Sequence, residues 1–446
     1  MRADATVDVV DRPVAEPPAT YRRRLLGVDE ARIREERPLV KGIVAVQLLA
    51  IMVLGILTIT TFQIWAPVDE HAHFDYVQDI SDRHVMPTLD PHIELGRSFG
   101  VHTYEAFQPP LYYIVAAPLL KISHVHHTRI LILRSFGLFL LVASVYVFWL
   151  LTALVFPRRP LLPFAFGLAF FLLPGVIVRS ITISYQPLAT FLALLCLLLL
   201  YKADTAPKGK SHRWLLAAAV VLGLAVLTHV LLAYLAGVFA IVAVRRILLE
   251  RDREILLTIV GCVAIGLVLV APWVAFNLSH YHSTTANLLA RKIQQPLINP
   301  KNRDYTIGYV PHIVSEYIRD FFLPNEWTPL TKLMHSVSAT DWALALVLFA
   351  APTVVLLVRP RLFAKDRVLL LAAPFLLNFI FVVGTSVGAN WPSFGRYLYG
   401  SAAPWMLFVY VVARRLPWYR AAVIAVPILA TAGAAYLWIE GAARFL

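Results

Sequence analysis

Apolar runs of about 17 to 25 residues recur along this chain, and a helix of that length, rising 1.5 Å per residue, covers a hydrocarbon layer roughly 30 Å thick. Eleven such runs are legible, at about 43–65, 129–156, 161–180, 187–201, 214–228, 230–244, 255–274, 341–358, 368–387, 396–413 and 418–440. Water is not the main solvent of such a sequence. At 59% hydrophobic and 15% charged residues over 446 positions, a soluble globular domain is excluded. The reading is an all-α, polytopic membrane protein of about 11 transmembrane helices with helical outer loops.

The formal charge of +13 comes from short basic clusters between apolar runs, so it reads as a topology signal and argues against a nucleic-acid partner. Arg158/Arg159, Lys202/Lys208/Lys210/Arg213, Arg245/Arg246/Arg251/Arg253, Arg359/Arg361/Lys365/Arg367 and Arg414/Arg415/Arg420 fall at every second loop. By the positive-inside rule those loops are cytoplasmic, which puts the N-terminus inside and the C-terminus outside. Residues 1–42 form a polar cytoplasmic tail without a cleavable signal pattern. A transmembrane module follows over 43–274, then an outer loop over 275–340, then C-terminal transmembrane helices over 341–446.

Two outer segments, 66–128 and 275–340, are too long to be simple connectors, and segments of that length usually carry function. In the first, Ala72 to Ile80 reads as a short amphipathic helix, and a second helix starts on Pro109-Pro110 and reaches Ile122. In the second, Ile313 to Phe322 is amphipathic in the same way. No fixed-period repeat is evident, which argues against a transporter of inverted repeats. Cys196 and Cys262 lie inside apolar runs, so neither a disulfide framework nor a cysteine metal site is indicated.

Directly after the first span comes Pro67-Val68-Asp69-Glu70-His71-Ala72-His73-Phe74-Asp75-Tyr76. An acid at the membrane surface can act as a general base or as a metal ligand in a site partly walled off from water. Asp69 and Glu70 could hold a hard divalent cation, magnesium or manganese. His71 and His73, two apart, do not share a helix face, so zinc is a poor fit. Eight of the fourteen histidines lie in this first outer segment, a pattern open to a pH sensor, to metal binding or to plain solvation.

Arg134, Arg179 and His229 fall near the outer ends of spans two, three and five, and Arg396 opens span ten. Ionisable residues at such positions are costly unless used. A cationic set at one depth, facing an acidic loop, suits a lipid-linked phosphate whose head must lie near a catalytic base. The span centres carry no ionisable side chain, which argues against ion-coupled transport.

At these residues the sequence resembles the GT-C superfamily of glycosyltransferases that use polyprenyl-phosphate sugars, such as bacterial protein mannosyltransferases and lipid A aminoarabinose transferases. Four motifs match in order over roughly 43–410: Pro67-Val68-Asp69-Glu70, Gln108-Pro109-Pro110-Leu111-Tyr112-Tyr113, Gly223-Leu224-Ala225-Val226-Leu227-Thr228-His229, and Gly395-Arg396-Tyr397-Leu398. The resemblance implies an inverting transfer of a sugar from a polyprenyl phosphate to an acceptor hydroxyl of an envelope glycan, lipid or protein, on the non-cytoplasmic face of the cell membrane. Asp69 would be the general base, Glu70 would orient it or bind acceptor, and Arg396 would hold the carrier phosphate. Arg134, Arg179, His229, Tyr112, Tyr113 and Gln186 would complete the substrate site. Two positions depart from the pattern. Tyr185-Gln186-Pro187 stands where many relatives carry Asn-Asp, losing a carboxylate tied to metal or acceptor binding, and His229 stands where relatives carry lysine. The alternative reading is a non-catalytic binder or flippase of lipid-linked substrates on the same scaffold.

Overall fold

Unbroken apolar sequence makes the helices and proline sets many of their limits. The computed structural model describes residues 38–62, 69–90, 104–298, 346–358, 368–389, 395–414 and 419–445, with isolated residues between 308 and 321. Among the described residues every regular element is helical: α1 Pro38–Thr61, α2 Glu70–Gln78, α3 Leu111–Ala116, α4 His126–Val155, α5 Leu161–Phe171, α6 Pro174–Ile181, α7 Gln186–Thr205 and α8 His212–Val226. There follow α9 Tyr234–Glu250, α10 Arg253–Tyr281, α11 Asn287–Ile298, α12 Ala351–Val358, α13 Leu369–Ala389, α14 Tyr399–Ala413 and α15 Tyr419–Phe445.

Proline begins α1 and α6, where its missing N–H is one the first turn would leave unpaired anyway. Asp252 caps α10, its Oδ1 accepting from Ile255 N at 2.9 Å. The expected single span over 161–180 is instead a pair, α5 and α6, bent by 70° at Pro174. A proline there cannot donate to the preceding turn, so the helix breaks and restarts. Six helices among the described residues are long and apolar enough to cross a membrane, or seven with the bent pair taken as one span. Of the remaining expected spans, 214–228, 341–358 and 396–413 fall on the shorter helices α8, α12 and α14, and 418–440 falls on α15; 341–345 lies outside the described residues, as does most of Ile313–Phe322.

The two short outer helices form as expected. α2 continues into a π turn at Asp79–Arg83, and α3 into a 3-10 stretch at Ala117–Ile122. α7 sits at the centre, packed by α4, α8, α9 and α14, with α1 and α14 both against α5. α10 turns Leu256, Val260, Val263, Leu267 and Val268 outward, an apolar surface that hydrocarbon solvates and water does not. Gly137 lets α4 lie directly on the end of α6, since a Cβ there would strike the Ser180 carbonyl.

The helix ends divide by chemistry. α4 carries Arg134 near its start and ends just before Arg158 and Arg159; α7 starts at Gln186 and ends near Lys202. The candidate site residues and the basic clusters therefore occupy opposite ends of the same helices. At the basic end, buried Glu250 accepts from Ser211 Oγ at 2.6 Å and from Gly209 N at 2.9 Å, and pairs with Arg246, which ties the α7–α8 loop to α9.

Candidate active site at the converging helix ends

A buried ion pair sets the frame. Arg134 of α4 reaches Glu70, the first residue of α2, through two parallel bonds: Nε to Oε1 at 2.8 Å and Nη2 to Oε2 at 2.7 Å. The guanidinium also donates to the Phe62 carbonyl at the end of α1, at 2.8 Å, and Glu70 Oε1 accepts from Ile183 N at 3.2 Å. Both side chains are at most 1% exposed. Four chain segments thus meet on one bidentate pair, the arrangement in which arginine and carboxylate bind most specifically. Of the two alternatives expected for Glu70, these contacts match the orienting one, and the Arg134 guanidinium, expected at the substrate, is engaged with Glu70 and the Phe62 carbonyl.

The pair fixes its neighbour Asp69 at the entrance to α2. Asp69 has φ of 78°, in the left-handed region that aspartate tolerates better than most side chains. The Tyr104 hydroxyl donates to Asp69 Oδ1, and Arg396 Nη2 lies 3.6 Å from Oδ2. Arg396 sits in a 3-10 turn, Gly395–Leu398, before α14. Asn378, buried in α13, holds that turn by donating to the Tyr397 carbonyl and to Ser401 Oγ, both at 2.9 Å. Base candidate and phosphate-binding candidate are therefore adjacent, each anchored by a different part of the fold.

A second acid enters this site that the sequence reading missed. Glu105 is 5% exposed, and burial together with the Asp69 charge pushes its carboxyl up to about 8, with Arg396 opposing. It lies three residues before the Gln108-Pro109-Pro110 motif, and the turn closes on a Gln108 N to Glu105 O bond of 2.9 Å. An acid so close to that motif, in an outer loop, was the available signal.

Aromatic rings wall the site. Tyr185 stacks on His229 with centroids 4.4 Å apart, and His229 on Tyr397 at 5.3 Å. His73, one helical turn past Asp69, meets Tyr185 edge-on at 5.5 Å and shares a 2.8 Å hydrogen bond between Nδ1 and the Tyr113 hydroxyl. Burial pulls His73 down to about 4, with Arg396 and Arg179 adding to the effect and Asp69 resisting it, so its imidazole is neutral at pH 7. His71 faces the other way and pairs with Asp75 at 3.3 Å, as the two-residue spacing predicts.

The remaining expected residues divide between lining and support. Arg179, in the last turn of α6, and His229 lie within electrostatic reach of His73. Gln186 is buried at the start of α7. Tyr112 and Tyr113 are at most 1% exposed; Tyr113 stacks on Tyr76 at 3.7 Å and Tyr112 bonds the Ser184 backbone, so both support the lining rings from behind.

The donor set does not fit the divalent cation expected of Asp69 and Glu70. Glu70 spends both oxygens on Arg134, and Asp69 on Tyr104 and Arg396. Among the described residues no three His, Cys, Asp or Glu side chains are placed to hold a metal.

Solved structures share this architecture. ArnT from Cupriavidus metallidurans bound to undecaprenyl phosphate superposes over 90% of this chain and 72% of its own, with a TM-score of 0.55 and 15% identity. The oligosaccharyltransferase of Archaeoglobus fulgidus, tethered to an acceptor peptide, matches over 91% of this chain with a TM-score of 0.53 and 16% identity. The chain spans 55% of the length of that enzyme. No family model and no curated protein matches the sequence. The helical membrane fold is therefore one this chain shares with ArnT and with the archaeal oligosaccharyltransferase.

Proposed function

We propose that this chain is a membrane glycosyltransferase that moves a sugar from a polyprenyl-phosphate donor to an acceptor hydroxyl on the non-cytoplasmic face, with inversion. The observation that carries the reading is the contact between Asp69 and Arg396 at the ends of helices remote from the basic clusters. It is supported by the fold, since ArnT was solved with undecaprenyl phosphate bound.

The chemistry follows from the pair. The acceptor oxygen loses its proton to Asp69 and attacks the anomeric carbon. The bond from that carbon to the phosphate oxygen breaks, and the electron pair leaves on the carrier phosphate. Arg396 stabilises that charge, with Arg179 adding positive potential from α6. In the substrate-free site Arg396 is drawn to Asp69; an arriving phosphate competes for the same guanidinium and frees the carboxylate to act as base. No step is routed through a cation, in keeping with the donor set. The acceptor is a hydroxyl of an envelope glycan, lipid or protein.

The experiment is binding of undecaprenyl phosphate to the purified protein in nanodiscs. Arg396→Ala should weaken it by tenfold or more, about 1.4 kcal/mol. Equal binding by the variant and the parent rejects Arg396 as the phosphate residue. The alternative of a non-catalytic lipid binder or flippase shares the binding result and parts from this reading at Asp69.

A further inference from the structure

Neither the frame of the site nor the Asp69–Arg396 pair gives Glu105 a use, yet the fold keeps its carboxyl inside. Its side chain takes one hydrogen bond, with Gln108, while Oε2 is buried without a partner. Buried polar atoms are nearly always paired, and one that is not costs stability. The loop does not relieve that cost by turning outward. Ala106, the next residue, packs with Leu89 against Ala290 and Ile293 of α11, and the Gln108 N to Glu105 O bond closes the other side.

The surroundings of that oxygen define what would satisfy it. Glu105 acts electrostatically on Tyr104, Tyr113, Tyr185 and Tyr397, and itself feels Asp69 and Arg396. A buried acid within electrostatic reach of several tyrosines is the chemistry that holds a carbohydrate: aromatic side chains meet its C–H surface and the acid pairs with a hydroxyl. Because Arg396 lies in the same field, the ligand group nearest Glu105 is one attached to the phosphate that Arg396 would bind.

We infer that Glu105 is a sugar-binding residue, its Oε2 hydrogen-bonded to a hydroxyl of the sugar carried on the lipid phosphate, beside the Tyr185 and Tyr397 rings. This rests on the proposed transferase reading and deepens it. The occupied site pairs the orphaned oxygen; the empty site bears its cost.

The test compares two variants, Glu105→Leu and Glu105→Gln, in nanodiscs, using bare undecaprenyl phosphate and undecaprenyl phosphate bearing mannose or arabinose. The parent should bind at least one sugar-bearing lipid more tightly than the bare one. Glu105→Leu should lose that preference, by about tenfold. It should bind the bare lipid within about twofold of the parent. Its thermal midpoint should rise, because an apolar side chain replaces an unpaired polar one. Glu105→Gln, which keeps the shape and both hydrogen-bonding positions, should retain most of the preference. A preference that survives in Glu105→Leu overturns the inference, as does a parent with none. Equal weakening toward bare and sugar-bearing lipid, with a lowered midpoint, assigns Glu105 a structural role instead. Failure of the underlying reading has its own signature, a parent that binds none of the lipids.

Discussion

The Tyr185 ring lies flat against the His229 imidazole, 4.4 Å between centroids and 12° between planes. These are the positions of the two departures from the GT-C sequence pattern, one replacing the carboxylate-bearing Asn-Asp segment and the other a lysine. They are three-dimensional neighbours: Tyr185, next to Gln186 where the carboxylate of the pattern is lost, stacks on His229, which stands at the lysine position. Asp69 and Arg396 lie in contact beside this stack, Arg396 preceding the Tyr397 ring that stacks on His229.

If the stack is the replacement interaction, His229→Ala should cost about 0.5–1.5 kcal/mol of stability beyond the loss of buried area. His229→Phe, which keeps a flat ring, should recover most of it. Thermal unfolding of the purified variants in one detergent measures both. Equal losses in the two variants would show that the stack contributes nothing specific.

The Glu70–Arg134 pair should behave as a brace. Glu70→Gln leaves a buried guanidinium without its counter-charge, and the expected cost is about 3–5 kcal/mol. Replacing both partners with apolar residues of similar volume should cost less than either single change, so a double-substitution cycle shows strong coupling. Were Glu70→Gln stable and defective only in substrate binding, the assignment to the frame would fail.

His73 gives a pH signature. The folded protein holds its imidazole neutral down to about 4, whereas the unfolded chain protonates near the ordinary value of 6.5. Between these values the unfolded state binds the extra proton, so stability rises with pH across that window. The groups facing His73 are Asp69, Arg179, Arg396, Tyr113, Tyr185 and His229. Removing the titration with His73→Gln should reduce the pH slope of stability by up to about one proton between pH 4 and 6.5. An unchanged slope would mean that the buried imidazole is already charged.

Much of the fold was legible because the bilayer demands it. A run such as 255–274 can be little other than a membrane helix, and α10 covers it. The break at Pro174 was less legible, since apolar composition continues on both sides and only the proline marks it. In the site, Asp69 and Arg396 were readable as charges at helix ends on one side. Their contact was not, because 327 positions separate them and only packing of α13 against α14 sets the Arg396 turn. The pairing of Glu70 with Arg134 was not legible either, as sequence records a charge and not its neighbour. Glu105 went unread because a single acid in a polar loop has no periodicity to distinguish it.

In the proposed reaction Asp69 takes the acceptor proton. The most direct measurement is release of free undecaprenyl phosphate from a sugar-bearing donor by membranes carrying the parent or Asp69→Asn at matched expression. Asp69→Asn should lower turnover by about 10²–10⁴-fold while undecaprenyl phosphate still binds. Turnover unchanged by Asp69→Asn would contradict it.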